Sequence, residues 1–274
     1  MGEQNKTHIK AQKGWAEIPW KEIWDYRDLL YFLTIRNLRA KYAQSILGTG
    51  WAILQPLLYM GIFTLVFGKF AQLDSEGRPY ALFTLAAIVP WSFFSAILSE
   101  GSQSLVQQAP MLSKVYFPRI ILPLSAGLAK GWEFIIGFLI LIFSTLFVGI
   151  FPDIDWLFFI PMIFLLCIAA FGLAFFFAAL AIQFRDVKYA LPFLIQLLFF
   201  ASPIVYSTSI VPEAILPLYA FNPLVGIIEG FRAAFFHSPV PWHLVIPGVF
   251  TASGLFVFGL LYFHRAERNF ADLA

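Results

Sequence analysis

Lys130 and Glu133 stand three residues apart inside a long apolar run, a spacing that lets the two side chains meet on one helical face. An ionised group in hydrocarbon costs at least about 2.5 kcal/mol, so both are expected to face protein, water or each other. A proton relay and a structural ion pair are both open readings of this intramembrane pair. Glu229 and Arg232 repeat the spacing further along. A third concentration of charge, Arg36, Arg39 and Lys41 beside Tyr42, suits either a topological anchor on anionic lipid or recognition of a specific anionic headgroup or partner protein.

Self-contained catalysis finds no footing. There is no G-x-x-x-x-G-K-[ST] loop to hold a nucleotide phosphate, no H-E-x-x-H and no G-x-S-x-G. His8, His237, His243 and His264 are scattered, and Cys167 is the single cysteine, so an internal disulfide is impossible and a metal cluster is not expected. The close acidic pairs Asp74/Glu76 and Asp153/Asp155 fall in short turns, where they read as topology and solvation.

The elements that carry these residues are membrane-spanning. Hydrophobic residues make up 60% of the 274 and charged ones 12%, against about 25% charged in a soluble domain. Apolar stretches at about 50–68, 80–99, 120–149, 156–182, 189–206 and 244–263 predict six crossings, each near the roughly 20 residues a bilayer requires. The expected fold is therefore an all-α integral membrane protein. It has a polar arm over residues 1–48, containing an amphipathic interface helix, and a six-helix membrane domain over 49–274. The arm offers no apolar core with a cleavage site, so the first crossing is expected to act as the insertion signal.

Six crossings put both termini on one side. Counting Lys and Arg, 14 fall on that side and Lys69, Arg78 and Arg232 on the other, which makes the termini cytoplasmic. A net charge of +2 gives no reason to expect nucleic acid.

Three further segments depart from a plain bundle. In Asp25–Leu47, Tyr31, Ile35, Leu38, Tyr42 and Ile46 share one helical face while Asn37, Lys41 and Gln44 share another, as for a helix lying in the interface. The loop Gly101–Arg119 carries Gln103, Gln107, Gln108 and Ser113. It predicts one short helix before Pro110 and an exposed turn through Lys114, Tyr116, Phe117 and Arg119, more chain than a hairpin needs. The connection 207–243 is too long for a turn and too apolar for a solvated loop. Its prolines leave Ile215–Ala220 and Pro223–Phe236 as helical candidates, expected to dip back into the outer leaflet. Aromatic residues are 19% of the chain, an abundance that would suit a path for a long glycan, whose C–H faces stack on rings and slide.

The order of local signals resembles a known family. The signals are Arg36–Asn37–Leu38–Arg39–Ala40–Lys41–Tyr42, Leu47–Gly48, Trp51, Gln55–Pro56–Leu57, Pro90–Trp91, the stretch Lys114 to Pro123 and Arg185–Asp186. Ser202–Pro203–Ile204–Val205–Tyr206, Asn222–Pro223 and Glu267–Arg268–Asn269–Phe270–Ala271–Asp272 complete them. From about residue 25 onward the chain resembles the permease subunit of polysaccharide ABC exporters of the type-2 class, which includes the O-antigen, capsule and teichoic-acid exporters. The resemblance implies a multi-pass protein of the bacterial inner membrane, acting as a homodimer with two copies of a cytoplasmic ATPase. That ATPase would hold ATP and Mg, and this chain would bind no cofactor. The implied substrate is a glycan on a polyprenyl pyrophosphate or related lipid. Arg36, Arg39, Lys41 and Tyr42 would then attract its head, and Gln103, Gln107, Lys114, Tyr116, Phe117 and Arg119 would meet the ATPase. Tyr219, Asn222, Glu229 and Arg232 would gate the outer exit. A type-2 exporter of a drug or smaller lipid, and a membrane-bound transferase acting on lipid-linked sugars, are the alternatives.

Overall fold

The computed structural model describes residues 20–267, except 44 and 113, together with residue 270. Of the residues singled out above, His8, Gln44, Ser113, Arg268, Asn269, Ala271 and Asp272 lie outside the described residues, as do Lys6, Lys10 and Lys13 of the polar arm. In chain order the helices are α1 (Trp20–Asp25), α2 (Arg27–Tyr42), α3 (Gly50–Phe63), α4 (Tyr80–Gln107), α5 (Ala109–Leu112) and α6 (Ile121–Leu128). They continue with α7 (Gly131–Phe147), α8 (Phe159–Gln183), α9 (Val187–Phe200), α10 (Leu216–Tyr219), α11 (Pro223–Phe236) and α12 (Trp242–Glu267). The last turns of the first span widen into a π-helical stretch over Thr64–Phe70, and a 3-10 turn over Ile154–Phe158 leads into α8. No strand occurs among the described residues.

Five stretches are long and apolar enough to cross a bilayer: Gly50–Phe70, Tyr80–Gln107, Ile121–Phe147, Ile154–Gln183 and Trp242–Glu267. α9 has 14 residues and at the helical rise extends only about 21 Å. The chain turns at Ser202–Pro203, where proline lacks an N–H and disfavours helical geometry in the residue before it. The expected helix over 189–206 is therefore cut at Phe200, and residues 201–206 form a turn in which Ser202, Ile204 and Val205 are buried.

Two other boundaries differ from expectation. α4 does not end near residue 99 but runs unbroken to Gln107, so Gln103 and Gln107 belong to a long helix and the expected separate short helix is its continuation. Only the four-residue α5 follows it. Between α6 and α7 the backbone breaks at Ala129–Lys130, which makes Lys130 the residue at the N-terminal cap of α7.

The centre is built by α4, α8, α11 and α12, with α8 and α11 each packed on the other three. Between apolar helices in lipid the hydrophobic effect gives no drive, so small residues that allow close approach carry the packing. Gly172 on α8 faces α12 so closely that a Cβ there would come 2.6 Å from the Cα of Phe256, and a Cβ on Gly259 would overlap the Gly172 carbonyl oxygen. α11 is buried along all of its 14 residues. α3 and α9 sit at the margin: in each, one residue of 14 is buried, Ala52 and Leu191 respectively.

Candidate functional site

α2 fastens to the bundle by a stripe at four-residue intervals, Leu29, Leu33, Asn37 and Lys41. Leu33 is 1% exposed, and the helix packs on α6. Asn37 donates to Ser125 Oγ at 3.5 Å and Lys41 Nζ lies 2.5 Å from Glu133 Oε1. The packed stripe thus joins two apolar side chains to two polar ones. The polar side holding Asn37 and Lys41 docks on protein, while Tyr31 and Phe32 are exposed, and Ile46 lies beyond the helix.

Between α2, α4, α6 and the first turn of α7 lies a cavity of 420 Å³, within the range of about 300–1,000 Å³ usual for ligand sites. Arg36, Lys41 and Lys130 line it, with Glu100 and Glu133, and amides from Asn37, Gln107 and Gln108 add further donors. Lys130 and Glu133 do not pair with each other. The helix break at Lys130 sends its ammonium across to Glu100 Oε1 on α4, at 3.0 Å, while Glu133 takes Lys41 from α2 and accepts from the Tyr42 hydroxyl at 3.3 Å. Burial, reinforced by the Glu133 carboxylate, pushes the Tyr42 phenol up to about 12, so it stays a donor at physiological pH. Arg36 is half-buried and has no ion-pair partner among the described residues. Arg39 is exposed and does not line the cavity.

The cavity opens into a groove of 750 Å³ between α3, α4 and α9, and the two spaces share Lys41, Glu100, Lys130 and Glu133. Rings line the groove in a connected series: Tyr59 to Phe63 at 5.9 Å, Phe63 to Phe199 at 5.9 Å, and Phe199 to Trp91 at 5.5 Å between centroids. Gln55, Gln196 and three serines of α4 interrupt the aromatic walls with hydrogen-bonding groups.

At the other end of α4 the expected pair of Glu229 and Arg232 forms, at 2.8 Å with both side chains buried. Arg232 also donates to the Ile204 carbonyl at 3.3 Å and lies 3.5 Å over the Phe83 ring. Asn222 caps α11 by accepting from Leu224 N at 3.1 Å, and donates to the Ala201 carbonyl at 2.9 Å and Ser202 Oγ at 3.0 Å. Tyr219 and Tyr206 share a hydroxyl hydrogen bond of 2.9 Å, and Tyr80 donates to the Val205 carbonyl. Three carbonyls of the irregular turn 201–206, those of Ala201, Ile204 and Val205, are thus satisfied by side chains, and that of Ser202 by the Ile204 N–H, as non-helical backbone within a membrane requires.

The chain matches the ABC-2 type transporter family over residues 28–236. It belongs to that family. Among curated proteins this ABC-2 chain is 28% identical over 247 residues to the O-antigen export system permease protein RfbA of Klebsiella pneumoniae, covering 90% of this chain and 95% of that one. It is 27% identical over 223 residues to the protein of the same name in Myxococcus xanthus, covering 81% and 85%. The polysialic acid transport protein KpsM of Escherichia coli is 23% identical over 238 residues, covering 86% and 92%.

The remaining candidates of the ABC-2 chain separate by exposure. Lys114, Val115 and Tyr116 are exposed, whereas Phe117 is 4% exposed and belongs to the core. Arg119 is occupied too: its backbone N–H donates to Glu267 Oε1 at 2.9 Å, its guanidinium reaches the Glu267 carbonyl, and it lies 5.8 Å from the Phe270 ring centroid. Gln103 is half-buried, and Gln107 turns to the charged cavity. Asp74 and Asp153 each accept from a backbone N–H two residues on, which ties both acidic pairs into turns. Glu100 is the cavity residue that the sequence expectation did not include. An acidic residue close to the end of an apolar run was a usable signal, but the predicted boundary at 99 left it in a loop.

Proposed function

We propose that this chain is the membrane-spanning subunit of an ATP-driven exporter that moves a lipid-linked polysaccharide, of O-antigen, capsular or teichoic-acid type, from the cytoplasmic to the outer side of the plasma membrane. The observation that carries this reading is the groove. A connected series of rings with interspersed amides and hydroxyls offers stacking for sugar faces, and hydrogen bonds that exchange as a chain slides. The names of the relatives point to the same cargo.

In this reading α9 and the buried turn 201–206 together make a sixth crossing, with α10 and α11 as re-entrant pieces on the outer side, and both termini are cytoplasmic. A second copy of the chain covers the exposed faces of α3 and α9 and closes two grooves into one channel. Two copies of a cytoplasmic ATPase bring ATP and Mg, dock on the surface around Lys114, Val115 and Tyr116, and drive the two halves through their cycle. This subunit does no covalent chemistry. The lipid-borne head starts at the charged cavity, and the glycan follows through the groove.

Affinity purification of the tagged chain from its native membrane tests the assignment. A nucleotide-binding subunit with ATPase activity should accompany it in equal amount, and Tyr116→Glu should reduce that recovery without lowering membrane insertion. A chain that purifies alone in gentle detergent, or ATPase recovery untouched by Tyr116→Glu, would count against the exporter and the docking surface respectively.

A further inference from the structure

The charged cavity holds more donors than its internal anions use. Each lysine ammonium has three N–H donors and an arginine five. Lys41 and Lys130 each meet one carboxylate oxygen, and Arg36 meets none among the described residues. The two carboxylates come from different elements, Glu100 from α4 and Glu133 from α7, and Glu133 holds a cation that belongs to a third, α2. The Glu133–Lys41 contact therefore fastens the C-terminal end of α2 to α7.

We propose that Glu133 and Glu100 are built-in stand-ins for phosphate. In this arrangement a diphosphate group displaces them from Lys41 and Lys130, is held by these lysines and Arg36, and thereby unfastens α2 from α7. The proposal deepens the exporter reading, on which it rests for the source of the anion.

Three features favour exchange over a fixed network. Lys130, with a side chain 10% exposed, requires an anion at all times, because an unpaired buried charge is costly. Its present partner Glu100 is 46% exposed, so water receives that carboxylate readily once it is released. Glu133 is more enclosed, but the Tyr42 hydroxyl remains beside it as a neutral donor after Lys41 leaves. A diphosphate presents negative oxygens on both phosphorus atoms and can take several charge-assisted hydrogen bonds at once, where each carboxylate now makes one to its lysine.

The decisive property is sign. If the carboxylates compete with the ligand, removing one must tighten binding, whereas a carboxylate that merely organises the cavity would weaken binding when lost. The full chain in phosphatidylcholine nanodiscs is titrated with farnesyl diphosphate and, separately, with inorganic pyrophosphate. Lys130→Met should weaken binding by about tenfold or more, Lys130→Arg should restore most of it, and Glu133→Gln should tighten it several-fold. Amide hydrogen exchange at the C-terminal end of α2 should rise when ligand binds, and should already be high in ligand-free Glu133→Gln. Preference for farnesyl diphosphate would identify a lipid headgroup, and equal affinity for pyrophosphate a free diphosphate; either supports the site. Weaker binding in Glu133→Gln, or displacement of both probes by phosphatidylglycerol in the nanodisc, would overturn it. Absence of probe binding in a chain that still recovers an ATPase and exports would remove the site and leave the exporter; the stated order of affinities in a chain without an ATPase partner would do the reverse.

Discussion

Two ionic clusters at opposite ends of α4 use the same residue types to different ends. At the Tyr80 end, Glu229 and Arg232 belong to one helix, are buried together, and are surrounded by the Phe83 ring and the Ile204 carbonyl. At the Glu100 end, each pair joins two different helices and opens on a cavity of 420 Å³. A pair enclosed within one helix cannot exchange partners without moving that helix. A pair that bridges elements beside an open space can. The first is a bolt holding α11 to the broken end of α9, and the second is a site in which one ion of each pair, Lys41 and Glu100, is well exposed.

The sharpest way to break this contrast is Arg232→Met. It strands Glu229 as a buried charge without a counter-ion and removes a donor from Ile204, at a cost of about 3–5 kcal/mol. The midpoint of thermal unfolding in detergent should fall steeply, and the paired variant Glu229→Gln/Arg232→Met should recover most of the loss. A single variant no worse than the double would end the description as a bolt. Asn222→Ala, in the same cluster, gives up a helix cap and two hydrogen bonds to the 201–206 turn, for about 1–2 kcal/mol. Its thermal shift should be smaller than that of Arg232→Met, with the damage confined to 201–224 in hydrogen exchange.

The other end should answer in function and hardly at all in stability. Lys41→Gln breaks a partly exposed ion pair, for which stability losses stay within about 1 kcal/mol. Export should nevertheless drop severalfold, measured as surface glycan per unit of membrane-inserted chain. Normal export with an intact unfolding midpoint would deny the cavity any part in transport.

How much of this was legible in the sequence follows the same division. The bolt was readable because its partners are three residues apart, and α11 because Asn222–Pro223 announces a helix start. The cavity was not, since Lys130 finds Glu100 thirty positions away on another helix, and the helix break at Ala129–Lys130 defeats the local spacing that pointed to Glu133. The crossings were legible from length and apolarity alone, apart from α9, where Pro203 ended the helix inside an apolar run. Which side of α2 packs on the bundle was not legible either, because its docking stripe joins apolar Leu29 and Leu33 to polar Asn37 and Lys41, so neither an apolar nor a polar face marks it, and Tyr31 and Phe32 are turned away.

That mixed stripe gives the finest test, because it divides three cations that the sequence treats as one group. Arg36 and Lys41 line the cavity and Arg39 points elsewhere, so replacing all three by Gln should reduce export mainly through the first two. Arg36→Gln removes the cation that has no internal carboxylate partner, and should lower export without any change in the unfolding midpoint. Arg39→Gln should leave both close to wild type, with at most the loss of a weak attraction to anionic lipid, about 1 kcal/mol per charge. Equal defects from Arg36→Gln and Arg39→Gln would mean that α2 acts through its overall charge at the membrane surface, and the contrast between an exchangeable cavity and a fixed bolt would lose its functional half.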